Sequence, residues 1–153
     1  MSDSHGSKKE IEQAVGQTGK VDLWLHAGDF CSDSDYLAIC SGAKVISVAG
    51  NCDGLAAKAP VDEFVEIAGK KIWLTHGHKY QVKYGTDELI DLARQYEVDV
   101  VIYGHTHIVD ICRIDNLLVL NPGSIGRPYG QNPSFLIMNI ETGNIDITLM
   151  EIR

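Results

Sequence analysis

The sequence predicts a layered α/β protein in which two mixed β-sheets are flanked by helices. Two observations carry this prediction. Helical and strand-like segments alternate over the first hundred residues, and from Ile108 onward no helical period remains. No internal repeat and no linker-like stretch divides the 153 residues, so we expect one domain over 1–153.

The individual elements follow from hydrophobic periodicity and turn residues. The first helix is expected to begin at a capping box of Ser7 and Glu10 and to end at Gly19, and Thr86 is expected to cap the third. Alternation on both sides of the turn at 68–70 predicts a hairpin. The expected helices cover 7–17, 33–40 and a segment after Thr86, and the expected strands cover 21–25, 44–49, 63–67, 71–74, 98–102, 109–114, 117–120, 135–140 and 145–150.

Charge and composition narrow the classes of partner. Thirteen basic residues face 21 acidic ones, for a formal net charge of −8, which disfavours nucleic acid as a partner. No apolar run is long enough to span a membrane, and the first residues lack the apolar core of a signal peptide. Four cysteines without C-x-x-C spacing are typical of reduced thiols, so we expect a cytoplasmic protein.

Polar motifs collect just past the strand-like runs. Each alone is typical of a capped turn or a surface histidine, but two closely spaced histidine pairs are unusual in a chain with six histidines. Strand ends of an α/β sheet converge where such folds bind ligands, so we expect the motifs to meet at one site. They are Asp3-x-His5, Gly28-Asp29, Gly50-Asn51-x-Asp53, His76-Gly77-His78 and Gly104-His105-x-His107.

In this order the motifs resemble the calcineurin-like metallophosphoesterase family, above all its small single-domain bacterial and archaeal phosphodiesterases. The resemblance implies a binuclear site in which Asp29 bridges two divalent ions. Asp3, His5 and His107 would complete the shell of the first ion, and Asn51, His76 and His105 that of the second. Manganese is the expected ion, with nickel, cobalt, iron and zinc as alternatives.

The function implied by the resemblance is hydrolysis of a small phosphodiester by a hydroxide held between the two ions. Asn51 and His76 would then also take part in catalysis, and Asn51 in substrate binding. Two alternatives stay open. One is a binding or scaffold protein that keeps the fold without catalysis, as a retromer subunit of this family does, and the other is a nuclease.

Further residues are assigned on weaker grounds. Cys52 stands where many relatives carry a histidine that protonates the leaving oxygen, and it is either catalytic or a small packing residue. Asp53 either orients a ligand and supports catalysis or caps a turn. His78 either lines the pocket or lies on the surface, and His26 is expected to be buried and hydrogen-bonded.

The segment 121–127 resembles an element that the family's small members carry after the last histidine pair. It is expected to form a rigid loop in which Ser124 and Arg127 contact the substrate. The alternative is that the segment forms a surface turn in which Arg127 is solvated and does not contact the substrate. Whether the chain is a monomer or assembles into a homo-oligomer stays open.

The start of the chain departs from the pattern of the other motifs. Only Met1 and Ser2 precede Asp3, whereas the other motifs each follow an apolar run. A ligand needs rigid support, and a chain end frays. We therefore expect a truncated first strand, with an apolar run upstream of Ser2 in the natural protein.

Overall fold

The computed structural model describes residues 1–55 and 57–153. Within them helices and strands alternate up to residue 102 and only strands follow, as the sequence predicts. The helices are α1 (Lys8–Thr18), α2 (Asp33–Ser41) and α3 (Asp87–Gln95), and a 3-10 turn covers His78–Tyr80. The strands are β1 (Leu23–His26), β2 (Lys44–Ser47), β3 (Asp62–Ile67), β4 (Lys70–Thr75), β5 (Val100–Ile102), β6 (Val109–Ile114), β7 (Leu117–Pro122), β8 (Ser134–Glu141) and β9 (Asn144–Glu151).

The strands form one large mixed sheet and two smaller pairs. The large sheet has the order β3-β4-β5-β7-β6, with parallel pairing at its centre and an antiparallel strand on each side. Strands β1 and β2 pair in parallel, and β8 and β9 form an antiparallel hairpin. The predicted layered α/β class is confirmed.

The N-terminal segment lies between β1 and the loop that follows β7. Asp3 donates its amide to the carbonyl of Gly28 at 2.9 Å, and the carbonyl of Ser2 accepts from the amide of Ile125 at 3.2 Å. Asp3 is therefore held by backbone on both sides and is fully buried, unlike the loosely held position expected for it. The upstream strand stays a prediction.

Apolar side chains pack on both faces of the large sheet because successive strand residues point to opposite sides. One face packs against α3, with Leu89 and Ala93 touching the cluster around Trp73. The other face contributes Leu74 and Leu120 to a core shared with the two smaller sheets. A third cluster fills the space between those sheets and α1 and α2. The strand ends that carry the polar motifs are thereby held rigidly.

The helix ends differ in one respect from the prediction. Gly19 ends α1 with φ 65°, as expected. Neither Ser7 nor Thr86 makes a side-chain cap hydrogen bond within the described residues. The Ser7 hydroxyl instead lies near Gly126, where a Cβ atom would overlap the Ser4 carbonyl and lie 2.8 Å from this hydroxyl. Among residues 1–55 and 57–153, no helix combines the length and apolar character needed to cross a bilayer.

Candidate metal centre

Four of the predicted ligands meet at one point. Asp3 and His5 lie before α1, Asp29 follows β1, and His107 lies between β5 and β6. One donor atom from each of these four residues lies within 4.8 Å of the other three. They are the four residues assigned by resemblance to the first ion, brought together across 104 positions of sequence.

The donor atoms of this first group lack ordinary partners. Oδ1 of Asp3 is buried with His107 Nε2 beside it, and both ring nitrogens of His5 are buried without a hydrogen-bond partner among the described residues. Burying such atoms unsatisfied costs about 1–3 kcal/mol each. His107 donates Nδ1–H to the Arg127 carbonyl at 2.6 Å and turns Nε2 toward Asp3 Oδ1 at 3.1 Å. A cation at this point could be held by Asp3 Oδ1, His107 Nε2 and one ring nitrogen of His5, so the donor set fits a metal ion.

A second group surrounds His76. Its Nδ1 donates to the Ala27 carbonyl at 2.8 Å, because a carbonyl can only accept. In the neutral ring Nε2 is then a lone-pair donor, yet it lies 3.1 Å from Asn51 Oδ1 and 3.4 Å from Asp29 Oδ1. The His105 ring lies 5.1 Å from the His76 ring, centroid to centroid. Electron-rich atoms that converge in this way again fit a bound cation.

The backbone at these positions is unusual. Five of the seven predicted ligands adopt a left-handed φ, between 47° and 69°, which costs a non-glycine residue free energy and tends to cluster at functional sites. They are Asp3, His5, Asp29, His105 and His107. Of the eleven non-glycine residues with a positive φ in the described part of the chain, these five carry donor atoms of the candidate site.

Two glycines make the close approach of these loops possible. A Cβ atom at Gly104 would lie 2.7 Å from Asp3 Oδ2, and one at Gly50 would overlap Asp29 Oδ1. Any larger residue would push a carboxylate out of position. Gly104 and Gly50 therefore allow the loops to pack closely against the two carboxylates.

The pKa values of Asp3 and His105 suit metal binding. Burial opposes the ionised form of Asp3, but the hydrogen bond with His107 and the nearby His76 outweigh it and leave the pKa below its usual range. His107 differs, because the hydrogen bond to Asp3 raises its pKa and favours the protonated ring, so a metal ion would displace a proton there. Burial is the main cause that lowers the pKa of His105 to about 4, so this ring is neutral at neutral pH, as a ligand must be.

Comparison with known proteins decides the family. The calcineurin-like phosphoesterase superfamily domain matches residues 1–143. The chain belongs to this superfamily. The predicted resemblance is confirmed.

Three relatives illustrate the match. The probable metallophosphoesterase YsnB of Bacillus subtilis is 34% identical over 144 residues, covering 92% of this chain and 82% of its own length. The solved structure of a novel archaeal phosphodiesterase has a TM-score of 0.78 at 26% identity, over 98% of this chain and 97% of that one. Vps29 of Entamoeba histolytica, complexed with zinc, has a TM-score of 0.71 at 27% identity, over 88% and 84%.

A buried network supports the loop that carries Asp3 and His5. Ser4 donates its hydroxyl to Asp33 Oδ2 at 2.6 Å and lies 3.0 Å from His26 Nε2. The same Asp33 oxygen accepts from the Gly6 amide at 2.8 Å. His26 is buried and hydrogen-bonded, as predicted. Sequence reasoning missed Ser4 and Asp33, since Asp33 is visible there only as the first residue of a helix.

Asn121 and Ser124 hold the loops that carry Gly104 and Asp3 through hydrogen bonds to their backbone. Asn121 donates from Nδ2 to the Gly104 carbonyl at 3.0 Å. Ser124 is fully buried, donates to the Asp3 carbonyl at 2.9 Å and accepts from the Arg127 amide at 2.7 Å. The predicted substrate contact of Ser124 is therefore corrected. Its hydroxyl is engaged with backbone groups and positions Asp3.

Asp53 ties two loops together. Its carboxylate oxygens accept from the amides of Cys31 and Gly50, each at 2.8 Å. Both interactions are to backbone, so the structure favours the turn-capping interpretation over a direct part in catalysis. By holding Gly50 and the chain beyond Asp29, Asp53 also orients the two loops that carry predicted ligands.

Three remaining predicted residues lie around the rim. Cys52 donates its amide to Asp29 Oδ1 at 2.8 Å, while its thiol is exposed rather than packed. Partial desolvation by the neighbouring protein surface, followed by the Asp29 carboxylate, raises the pKa of Cys52 to about 11. The His78 ring is half-buried and lies 5.3 Å from the His76 ring, so it borders the centre. The Arg127 side chain is exposed.

Proposed function

We propose that the chain is a cytoplasmic phosphodiesterase that holds two divalent ions and hydrolyses a small phosphodiester. The observation that carries the proposal is the set of buried, unpartnered donor atoms around Asp3 and His5. Such atoms indicate a site that holds a metal ion, because buried polar groups otherwise have hydrogen-bond partners. Solved relatives include a phosphodiesterase of the same architecture.

Asp29 is suited to bridge the two ions. Its Oδ2 faces His5 Nε2 at 3.7 Å, and its Oδ1 faces His76 Nε2 at 3.4 Å. Each oxygen thus belongs to a different group of ligands. Asp3, His5 and His107 would hold one ion, and Asn51, His76 and His105 the other.

When bound, two divalent ions supply Lewis-acid stabilisation of the phosphate and acidify a water molecule. Imidazole and carboxylate donors suit manganese, our expected ion, and also iron, cobalt, nickel and zinc. Only two of the proposed ligands are carboxylates, so a centre with two divalent ions is locally cationic. That charge would attract a phosphodiester in spite of the net charge of −8.

The other side chains of the site bind and orient. Asn51 lies at the exposed mouth of the centre, where its amide can contact a phosphate oxygen. Arg127 can pair with a second oxygen. The Cys52 thiol is a weaker proton donor than an imidazolium at neutral pH, so diesters with good leaving groups are favoured over monoesters.

A scaffold role is the second candidate, because Vps29 shares the architecture. It differs in one measurable respect: a scaffold would bind a protein partner without hydrolysing phosphodiesters. A nuclease is disfavoured by the acidic balance of the chain.

The test compares bis-p-nitrophenyl phosphate with p-nitrophenyl phosphate after the protein has been stripped with a chelator and reloaded with manganese. We expect diester hydrolysis that depends on added metal and is lost in Asp3→Asn. The control Asp35→Asn, at an exposed position of α2, should behave as wild type. Chelator-resistant activity, a large monoester preference, or no hydrolysis with any metal would refute the proposal.

A further inference from the structure

A groove of about 550 Å³ adjoins the candidate metal centre. His105 and His107 line it, so the groove is continuous with the centre that we propose binds the phosphate. Its other walls include Val82, Ile108 and Tyr129. None of these three is a proposed ligand, and an apolar wall has no part in holding an ion.

The apolar wall is exposed and held in place. Tyr129 is 75% exposed and Ile108 is 46% exposed, although both adjoin a strongly polar centre. The Tyr129 amide donates to the His107 carbonyl at 3.3 Å, and Gln131 Nε2 lies 3.4 Å from the same oxygen. The backbone that carries the Tyr129 ring is thereby held next to His107. Exposed aromatic surface beside a reactive centre is typical of a ligand-binding wall.

The charged residues of the groove limit what it can hold. Lys83 lines it and lies close enough to His105 to contribute, after burial and His76, to the lowered pKa of that ring. Asp110 also lines it, and its carboxylate accepts from the Tyr103 hydroxyl at 2.8 Å. A cation near the ligand histidine suits the phosphate itself, whereas a carboxylate further along repels a second anionic group. The complementary ligand is an uncharged group attached to a phosphate.

We propose that this groove binds a planar aromatic arm of the substrate, the ester group that stays on phosphorus during hydrolysis, by stacking on Tyr129. The inference rests on the proposed phosphodiesterase function and names its substrate class: a diester with an aryl or nucleoside arm. Stacking of a base on an aromatic side chain changes affinity by about 5- to 150-fold. Binding energy from such a non-reacting arm also serves to orient the phosphate.

The experiment uses three diesters that share the p-nitrophenolate leaving group: the methyl, the phenyl and the thymidine 5′-esters of p-nitrophenyl phosphate. We expect KM in the wild type to be lower for the two aromatic arms than for the methyl arm. In Tyr129→Ala the ratio of aromatic to methyl KM should rise by about 5- to 150-fold. Tyr129→Phe should retain the wild-type ratio, since it keeps the ring.

Tyr84→Ala is the matched control, because Tyr84 is 90% exposed and lies outside the described wall of the groove. A lower KM for the thymidine ester than for the phenyl ester identifies a nucleoside arm, and equal values identify an aryl arm. Equal KM values for all three arms, or an unchanged ratio in Tyr129→Ala, would overturn the inference.

A direct binding measurement separates this inference from the proposed function. Phenylphosphonate and methylphosphonate are titrated into the manganese-loaded protein by calorimetry. If no diester is hydrolysed, the proposed function fails, and the groove is still judged by this pair. Tighter binding of the phenyl compound, lost in Tyr129→Ala, supports the groove, and equal binding refutes it.

Discussion

Nδ1 of His76 lies 2.8 Å from the carbonyl oxygen of Ala27, and this contact selects the tautomer that leaves Nε2 free for a metal ion. Ala27 immediately follows β1, and Asp29, the proposed bridging residue, comes two residues later. One turn of backbone thus orients His76, a proposed ligand of the second ion, and carries the proposed bridging ligand Asp29.

Acid should destabilise the protein through His26. Burial is the main cause that lowers the pKa of His26 from 6.5 to about 4. The native state keeps this ring neutral, whereas the unfolded chain protonates it below about pH 6.5. Its contribution to stability is therefore complete above that pH and falls by roughly 3 kcal/mol as the pH drops to about 4. Urea unfolding of the metal-free protein at several pH values measures this loss, and His26→Gln should flatten the slope. An equal slope in both proteins would contradict the assignment.

Asp33 should matter for metal affinity although it touches no proposed ion. Asp33→Asn weakens the bonds to Ser4 and Gly6 that hold the Asp3–His5 loop. We expect manganese affinity, measured by calorimetry, to fall by about 10- to 100-fold, as for other residues that orient ligands. The control Asp35→Asn keeps the helix and alters only an exposed carboxylate. Equal affinities in the two variants would show that the network only stabilises the fold.

The convergence of the motifs could be predicted from sequence because all of them except Asp3-x-His5 follow a strand or a strand-like run. Strand ends of an α/β sheet converge whatever the details of packing, so local signals such as Gly104-His105 carry long-range information. The element order was predictable for the same reason. Period and turn residues mark strands such as 109–114, which the structure reproduces as β6.

The supporting contacts could not be predicted in this way. Ser4 and Asp33 are 29 residues apart and meet through side chains alone, so no local pattern links them. The Asn-Pro-Gly-Ser turn is recognisable, but the pattern does not say which side of it faces the core. Ser124 therefore resembled a substrate contact in sequence and is buried in the structure.

Cys52→His should raise monoester hydrolysis if a missing proton donor limits it. The exposed thiol leaves room toward solvent for an imidazole. An efficient general acid contributes about 100-fold or more, so p-nitrophenyl phosphate turnover should rise relative to the diester. Cys112→His, at an exposed position of β6, is the control. An unchanged ratio of monoester to diester turnover would count against a catalytic role for this position.

Arg127→Ala should weaken substrate binding without loss of metal. The carbonyl that His107 contacts belongs to the backbone, so removing the side chain leaves that bond in place. Loss of a charge-assisted hydrogen bond to phosphate predicts a KM about 10- to 100-fold higher. Metal content is measured on the same samples, and Arg113→Ala on β6 serves as control. Unchanged kinetics would leave the loop purely structural.

The number of ions bound per chain tests the central claim most directly. Metal-free protein is titrated with manganese by calorimetry, and the metal content of the loaded protein is measured by mass spectrometry. The account predicts two equivalents per chain, with Asn51→Ala losing the second while the group of Asp3, His5, Asp29 and His107 keeps the first. A single equivalent in the wild type, or none, would contradict it.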